Sequence, residues 1–161
     1  DPSEAEAGGG TSVVMNKDAY YKKALRETSK ENSDTDKVLS LLNKSLELGS
    51  AEAAYALGTW YLHGQSVKRS VRKAVSLFRL AAEQSMPDAL FDLAVCYEKG
   101  VGVRKNARIA FEYYLRASLD GERQSVYEVA RCYYYGIGVT KDRRLAKIWM
   151  DRAHSLGISD D

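Results

Sequence analysis

The chain has 161 residues, of which 45% are hydrophobic and 29% charged, with a formal net charge of +2. These proportions are ordinary for a globular chain, and the longest apolar stretch, 53–62, is far too short to span a membrane. Two histidines and two cysteines are too few and too scattered for the usual nucleophilic or metal-binding clusters. The composition therefore predicts a protein that is not an enzyme and has neither a cofactor nor a small-molecule substrate.

The first predicted segment is a tail. Residues 1–14 contain Pro2 and a Gly-Gly-Gly run and lack apolar periodicity, so we expect a disordered tail or linker there. Beyond it the chain repeats itself every 36 residues, and segments 87–122 and 123–158 share 12 of 36 aligned residues. The columns that recur at this spacing include glycine, tyrosine and alanine: Gly64, Gly100 and Gly136; Tyr61, Tyr97 and Tyr133; Ala74, Ala110 and Ala146.

Each repeat is predicted to form two helices. In the first helix, Ala53, Leu57 and Tyr61 recur at four-residue steps and therefore share one face. A glycine ends that helix, and a short polar residue suited to an N-cap opens the second one in each repeat: Asp34, Ser70, Asn106 and Asp142. Glycine also closes most second helices, but Ser85 stands where glycine is expected. Because serine tolerates a left-handed backbone poorly, this junction is predicted to differ in geometry.

The cysteines follow the same period. Cys96 and Cys132 are 36 residues apart, which predicts equivalent buried positions rather than a disulfide framework. The absence of a cysteine framework favours a cytosolic location, and no targeting signal is visible in this chain.

One helical hairpin of this kind cannot bury its own apolar surface, whereas stacked copies can, which predicts an all-α solenoid. The motif Ala-x-x-x-Leu-Gly/Ala-x-x-Tyr-x-x-Gly-x-Gly-Val, followed by a capped helix ending Ala-Ala-x-x-Gly, resembles the Sel1-like repeat of the tetratricopeptide superfamily. The resemblance implies a right-handed α-solenoid of antiparallel helix hairpins. The expected segments are a tail at 1–14, a degenerate capping repeat at 15–50, repeats at 51–86, 87–122 and 123–158, and a tail at 159–161.

The resemblance also implies that the first helices line a concave, partner-binding groove. Tyr55, Phe91 and Tyr127 form an aromatic ladder there, although packing between neighbouring first helices explains the ladder equally well. If Arg131 is a binding residue, Arg131→Glu is expected to abolish partner binding with little change in melting temperature. The predicted partner-binding residues are Tyr55, Thr59, His63, Phe91, Val95, Glu98, Tyr127, Arg131, Tyr134 and Tyr135.

A second candidate surface is a periodic basic ridge near the turns. It suits an acidic partner, anionic lipid or RNA, but a solvated face with charges offset by nearby carboxylates is an equally open interpretation. The ridge consists of Arg69, Arg72, Arg104, Lys105, Arg108, Lys141, Arg143 and Arg144.

Together these features predict a non-catalytic adaptor that holds a protein or peptide partner in the groove, and they disfavour nucleic acid. Two alternatives stay open. One is a self-assembling signalling module that associates through its open C-terminal end. At that end we expect either that the parent protein continues or that Ile148, Trp149 and Met150 mark a face that something else covers. The other is a protein that binds RNA or a cell-wall glycan.

Overall fold

The computed structural model describes residues 15–158, so the predicted tails at 1–14 and 159–161 lie outside the described residues. Within 15–158 there are eight α-helices and no β-strand. In chain order they are α1 (Lys17–Thr28), α2 (Thr35–Glu47), α3 (Ala51–His63), α4 (Val71–Glu83), α5 (Pro87–Lys99), α6 (Ala107–Leu119), α7 (Arg123–Tyr135) and α8 (Arg143–Ser155). The chain divides into two compact units, Asp1–Ala53 and Ala54–Asp161. The all-α repeat fold expected from the sequence is confirmed.

The N-terminal unit is built on the α1–α2 hairpin. Its core comprises Ala24, Val38, Leu41 and Leu42. Glu27 is buried where the hairpin turns, so its carboxylate needs partners. They are Lys30 Nζ at 2.8 Å, Lys37 Nζ at 3.4 Å and the backbone N–H of Asp34, which donates at 3.3 Å. The Lys30 hydrogen bond and the Asp34 amide lower the pKa of Glu27 to about 2.

In the second unit, several helices begin or end at capping residues that the sequence predicts. The side chains of Ser70, Asn106 and Asp142 accept hydrogen bonds from the backbone N–H three residues further on, at 3.2, 3.1 and 2.9 Å. Gly100 and Gly136 end α5 and α7 in the left-handed conformation, with φ of 72° and 73°. Because these caps recur every 36 residues, α4, α6 and α8 begin at equivalent points of their repeats.

The prediction of a different geometry at Ser85 is wrong for its backbone. Its φ of 58° lies in the same left-handed region as its repeat equivalents Gly121 (99°) and Gly157 (78°). The Ser85 N–H donates to Ala82 O at 2.9 Å, which closes the turn after α4 as glycine would. The helix ending therefore sets the conformation here, and serine adopts it at a steric cost of about 1 kcal/mol.

Consecutive repeats approach most closely where a turn meets a helix. A Cβ atom added to Gly138 would overlap the Ala107 carbonyl oxygen at the start of α6, and one added to Gly102 would overlap the Val71 carbonyl oxygen at the start of α4. The second glycine of each Gly-x-Gly turn therefore lets the turn lie directly on the preceding repeat. Behind this contact a buried cluster joins α5, α6 and α7: Ala94, Ala110, Phe111, Tyr114, Val129 and Cys132.

Both cysteines are free and buried, at equivalent positions of α5 and α7. Burial raises the pKa of Cys96 to about 11 and that of Cys132 to about 12. Neither thiol is a ready nucleophile, because the thiolate is the reactive form.

Candidate protein-binding surface

The face formed by the first helices α3, α5 and α7 is held together by its own side chains. The Tyr55 ring packs on Phe78, with centroids 5.6 Å apart, and its hydroxyl hydrogen-bonds Asp92 on the next first helix. Burial raises the pKa of Tyr55, and the hydrogen bond to Asp92 is the second-largest cause of that rise. Burial likewise raises the pKa of Asp92, and the nearby carboxylates of Asp88 and Glu122 add to that effect. Tyr55 thus links two repeats.

The second member of the aromatic ladder, Phe91, is also used internally. Its ring meets Tyr114 edge-on, with centroids 5.8 Å apart. The Tyr114 hydroxyl donates a 2.9 Å hydrogen bond to Glu98 Oε1, so α6 is tied to α5. Val95 is half-buried and packs against the same core cluster. Phe91 and Val95 therefore both contribute to internal packing, and Phe91 does so against the second helix α6.

Arg131 completes an inter-repeat network, defined here as Tyr114, Glu98, Arg131 and Glu128. Its Nη2 lies 2.6 Å from Glu98 Oε1 on α5, and its Nε lies 2.6 Å from Glu128 Oε2 on α7. Burial opposes the charge of Glu98, but the hydrogen bonds from Arg131 and Tyr114 outweigh it and lower the Glu98 pKa. Burial also opposes the charge of Arg131, but its hydrogen bonds to Glu98 and Glu128 outweigh that effect and raise the Arg131 pKa.

These contacts change what the Arg131 substitution tests. The guanidinium is committed to two carboxylates, and Arg131→Glu would place three carboxylates together. We therefore expect the melting temperature to fall, in contrast to the small change expected from the sequence. The Glu128–Arg131 spacing of three residues was visible in the sequence, whereas the link to Glu98 depends on how two helices pack.

Two exposed aromatic side chains lie at the end of α7, and Tyr134 and Tyr135 are named here the tyrosine pair. Their side chains are 41% and 66% exposed, and the rings meet edge-on with centroids 4.8 Å apart. The Arg143 guanidinium lies 3.6 Å from the Tyr134 ring centroid, and its Nε donates to the Tyr134 carbonyl at 3.0 Å. Tyr134 is thus in contact with both Tyr135 and Arg143, and both tyrosine side chains are open to solvent.

The other predicted groove residues occupy intermediate or exposed positions. Thr59 is half-buried and donates to the Tyr55 carbonyl within α3 at 3.1 Å. Tyr127 is half-buried on α7, and His63 is exposed at the end of α3.

All eight residues of the predicted basic ridge are exposed, and several have structural roles. Arg69 Nε donates to the Leu62 carbonyl at 3.0 Å, as Arg143 does to Tyr134, so both neutralise the carbonyl end of a first helix. Arg108 lies 4.0 Å from the exposed carboxylate of Glu112. The ridge is therefore explained in part by helix capping.

The C-terminal residues that the sequence grouped as one face separate into two grooves. Ile148 and Trp149 line a groove between α6 and α8 of about 550 Å³. Met150 instead lines a smaller groove of about 290 Å³ together with Tyr134 and Arg143.

Two further findings concern what residues 15–158 lack. These residues contain no group of three or more His, Cys, Asp or Glu side chains placed to hold a metal ion. In the same part of the chain, none of the helices has the length and apolar character needed to span a membrane.

The fold and its repeated contacts define an all-α, tetratricopeptide-like repeat protein. The Sel1 repeat family model matches residues 51–86, 87–122 and 124–158. The chain belongs to the Sel1 repeat family. This fold is generally a scaffold for protein–protein interaction, and proteins of the family are typically non-catalytic adaptors. The comparison with curated proteins gave no significant match.

Solved structures of similar fold come from several bacteria. A Sel1 repeat protein from Oxalobacter formigenes is 25% identical over 88% of this chain and 59% of its own, with a TM-score of 0.83. A protective antigen of uropathogenic Escherichia coli with an SLR fold is 25% identical over 97% of this chain and 32% of its own, with a TM-score of 0.84. Helicobacter pylori cysteine-rich protein B is 26% identical over 67% of this chain and 87% of its own, with a TM-score of 0.61. This chain therefore spans less than two thirds of the first two structures.

Proposed function

We propose that this chain is a non-catalytic adaptor that binds a partner polypeptide on the face of α3, α5 and α7, with the tyrosine pair as its anchor. The observation that carries the proposal is that Tyr134 and Tyr135 are exposed, that their rings pack on each other, and that Arg143 lies over the Tyr134 ring. Tyrosine is enriched among the residues that dominate binding energy, because it buries a large area at a low entropic cost.

The rest of the face supports this role by being rigid. Tyr55 is bonded to Asp92, and Arg131 joins Glu98 to Glu128, so three successive first helices are cross-linked by side chains. A surface fixed before binding loses little conformational entropy when a partner docks. The partner-binding contribution is therefore assigned to the exposed tyrosines, while Arg131 and Tyr55 position the helices that present them.

A display library of random 12-residue peptides, selected on the wild-type protein, tests the proposal without a known partner. The affinity of the enriched peptides is then measured for wild type, Tyr134→Ala and Tyr135→Ala. A hot-spot residue contributes about 2 kcal/mol or more, so each substitution should weaken binding by roughly 30-fold.

Leu80→Ala is the matched control, because Leu80 is also exposed (45%) but lies on the second helix α4. It should leave the affinity unchanged. If none of the enriched peptides bound either tyrosine variant more weakly than wild type, the assignment of the anchor would be refuted.

A further inference from the structure

The groove between α6 and α8, named here the outer groove, is also lined by the first turn of α7 but does not include Tyr134 or Tyr135. Its lining includes Leu119, Val126, Ile148, Trp149, Arg123 and Arg152. Its volume of about 550 Å³ falls in the range of sites that enclose large side chains or small ligands.

The outer groove is more apolar than the repeat pattern requires. Leu119 is 73% exposed and Ile148 is 56% exposed. At the equivalent positions one repeat earlier stand Glu83 and Glu112, both exposed charged residues. Because the fold is satisfied by glutamate at these positions, packing does not account for the two apolar side chains of the outer groove.

The outer groove is also open where its counterpart is filled. The equivalent groove one repeat earlier, between α4 and α6, measures only about 130 Å³. There Arg116 lies over the Tyr113 ring, 5.5 Å from its centroid. In the last repeat the equivalent residues are Arg152 and Trp149. Within residues 15–158, the Arg152 guanidinium does not lie over the Trp149 ring. Arg152 therefore leaves the indole accessible.

The charge of the outer groove is positive. Within the described part of the chain, neither Arg123 nor Arg152 lies within 4.0 Å of a carboxylate. The carboxylate that lines the groove, Glu122, is occupied as the N-cap of α7, where it accepts from Gln124 N at 3.1 Å and from Ser125 N at 2.6 Å. The lining thus carries two guanidiniums against one carboxylate, so the apolar floor lies in a groove of net positive charge.

We infer that the outer groove binds an acidic polypeptide segment of a partner protein, in which an apolar side chain stands beside one or more carboxylates. The apolar side chain packs between Leu119 and Ile148 over Trp149, and the carboxylates meet Arg123 and Arg152. This site would act independently of the tyrosine pair, so the chain would engage its partners through two separate surfaces.

The test uses Trp149 as the reporter, because the chain has only two tryptophans and Trp60→Phe leaves Trp149 as the single one. A random 12-residue peptide display library is selected on the wild-type protein and counter-selected on an Arg123→Glu/Arg152→Glu variant. We expect the surviving peptides to combine Asp or Glu with Leu, Ile, Phe or Trp. Tryptophan-free members of this set should change Trp149 emission in the Trp60→Phe protein.

Ile148→Glu and Leu119→Glu restore the residue found one repeat earlier, so the variants should fold, and each should weaken these peptides at least tenfold. Arg144→Ala is the charge control, because Arg144 is exposed on α8 and does not line the groove. It should change the affinity less than twofold, and Tyr135→Ala should not change it. Loss of binding by Tyr135→Ala would instead place these peptides on the first-helix face.

Three results would overturn the inference. The first is an enriched set without acidic residues, and the second is unchanged affinity in Ile148→Glu. The third is concentration-dependent self-association, seen by light scattering, that disappears in Ile148→Glu, because it would assign the groove to a second copy of the chain.

Discussion

Removing the Arg131 side chain tests the inter-repeat network. The Arg131, Glu98 and Glu128 side chains are 25%, 22% and 17% exposed, so the network is neither at the surface nor fully buried. Exposed ion pairs contribute about 0.2–1 kcal/mol, and breaking a fully buried pair costs about 3–5 kcal/mol. Arg131→Ala leaves two partly buried carboxylates without their shared cation, so we expect a loss of about 2 kcal/mol in the free energy of unfolding.

At this chain length such a loss lowers the melting temperature by roughly 4–8 °C. Arg131→Lys keeps the charge but not two donors in fixed geometry, so it should cost about 1 kcal/mol. Arg131→Glu should cost more than Arg131→Ala because three carboxylates then repel one another. Urea denaturation followed by circular dichroism measures these values, with Arg144→Ala as the exposed arginine control. A loss below about 0.5 kcal/mol in Arg131→Ala would refute a structural role for the network.

Two further predictions concern the turns and the N-terminal unit. Gly138→Ala should lower the free energy of unfolding by about 3 kcal/mol, because the added Cβ overlaps the Ala107 carbonyl oxygen. Gly121→Ala has open space around its added Cβ and should cost about 1 kcal/mol from its positive φ alone. Equal losses in urea denaturation would contradict the close approach at Gly138. Because the pKa of Glu27 is lowered to about 2 from an unfolded value of about 4.3, its charged form stabilises the fold above pH about 4.3, and this contribution is lost as the pH falls toward 2. Denaturation between pH 2 and 6 should show a decline in wild type that is smaller in Glu27→Gln, and parallel curves would argue against it.

The 36-residue spacing of the repeats was enough to predict the helices and most of their ends. Asp34, Ser70, Asn106 and Asp142 stand one period apart, and each caps the helix that the spacing assigns to it. The prediction for Ser85 was wrong because serine's preference against a left-handed backbone is weak. The hydrogen bonds that close the turn after α4 outweigh it and fix the φ of Ser85.

The candidate surface was harder to predict from the sequence. Spacing locates a column such as Tyr55 or Arg131 on a face, but it does not say whether the side chain bonds to the next repeat or stays free. The links from Tyr55 to Asp92 and from Arg131 to Glu98 depend on rotamers and on the packing of neighbouring helices. The outer groove did leave a signal, since Leu119 and Ile148 replace glutamates of the preceding repeat.

We propose that the face of α3, α5 and α7 is the principal partner-binding surface and that the tyrosine pair anchors it. Amide chemical-shift mapping of the ¹⁵N-labelled protein tests this most directly, with a peptide that was selected on the wild-type chain and still binds the Arg123→Glu/Arg152→Glu variant. We expect the largest shifts at Tyr134, Tyr135 and their neighbours on α7, and the loss of those shifts in Tyr135→Ala. Shifts confined to the second helices α4 and α6, with Tyr134 and Tyr135 unmoved, would contradict it.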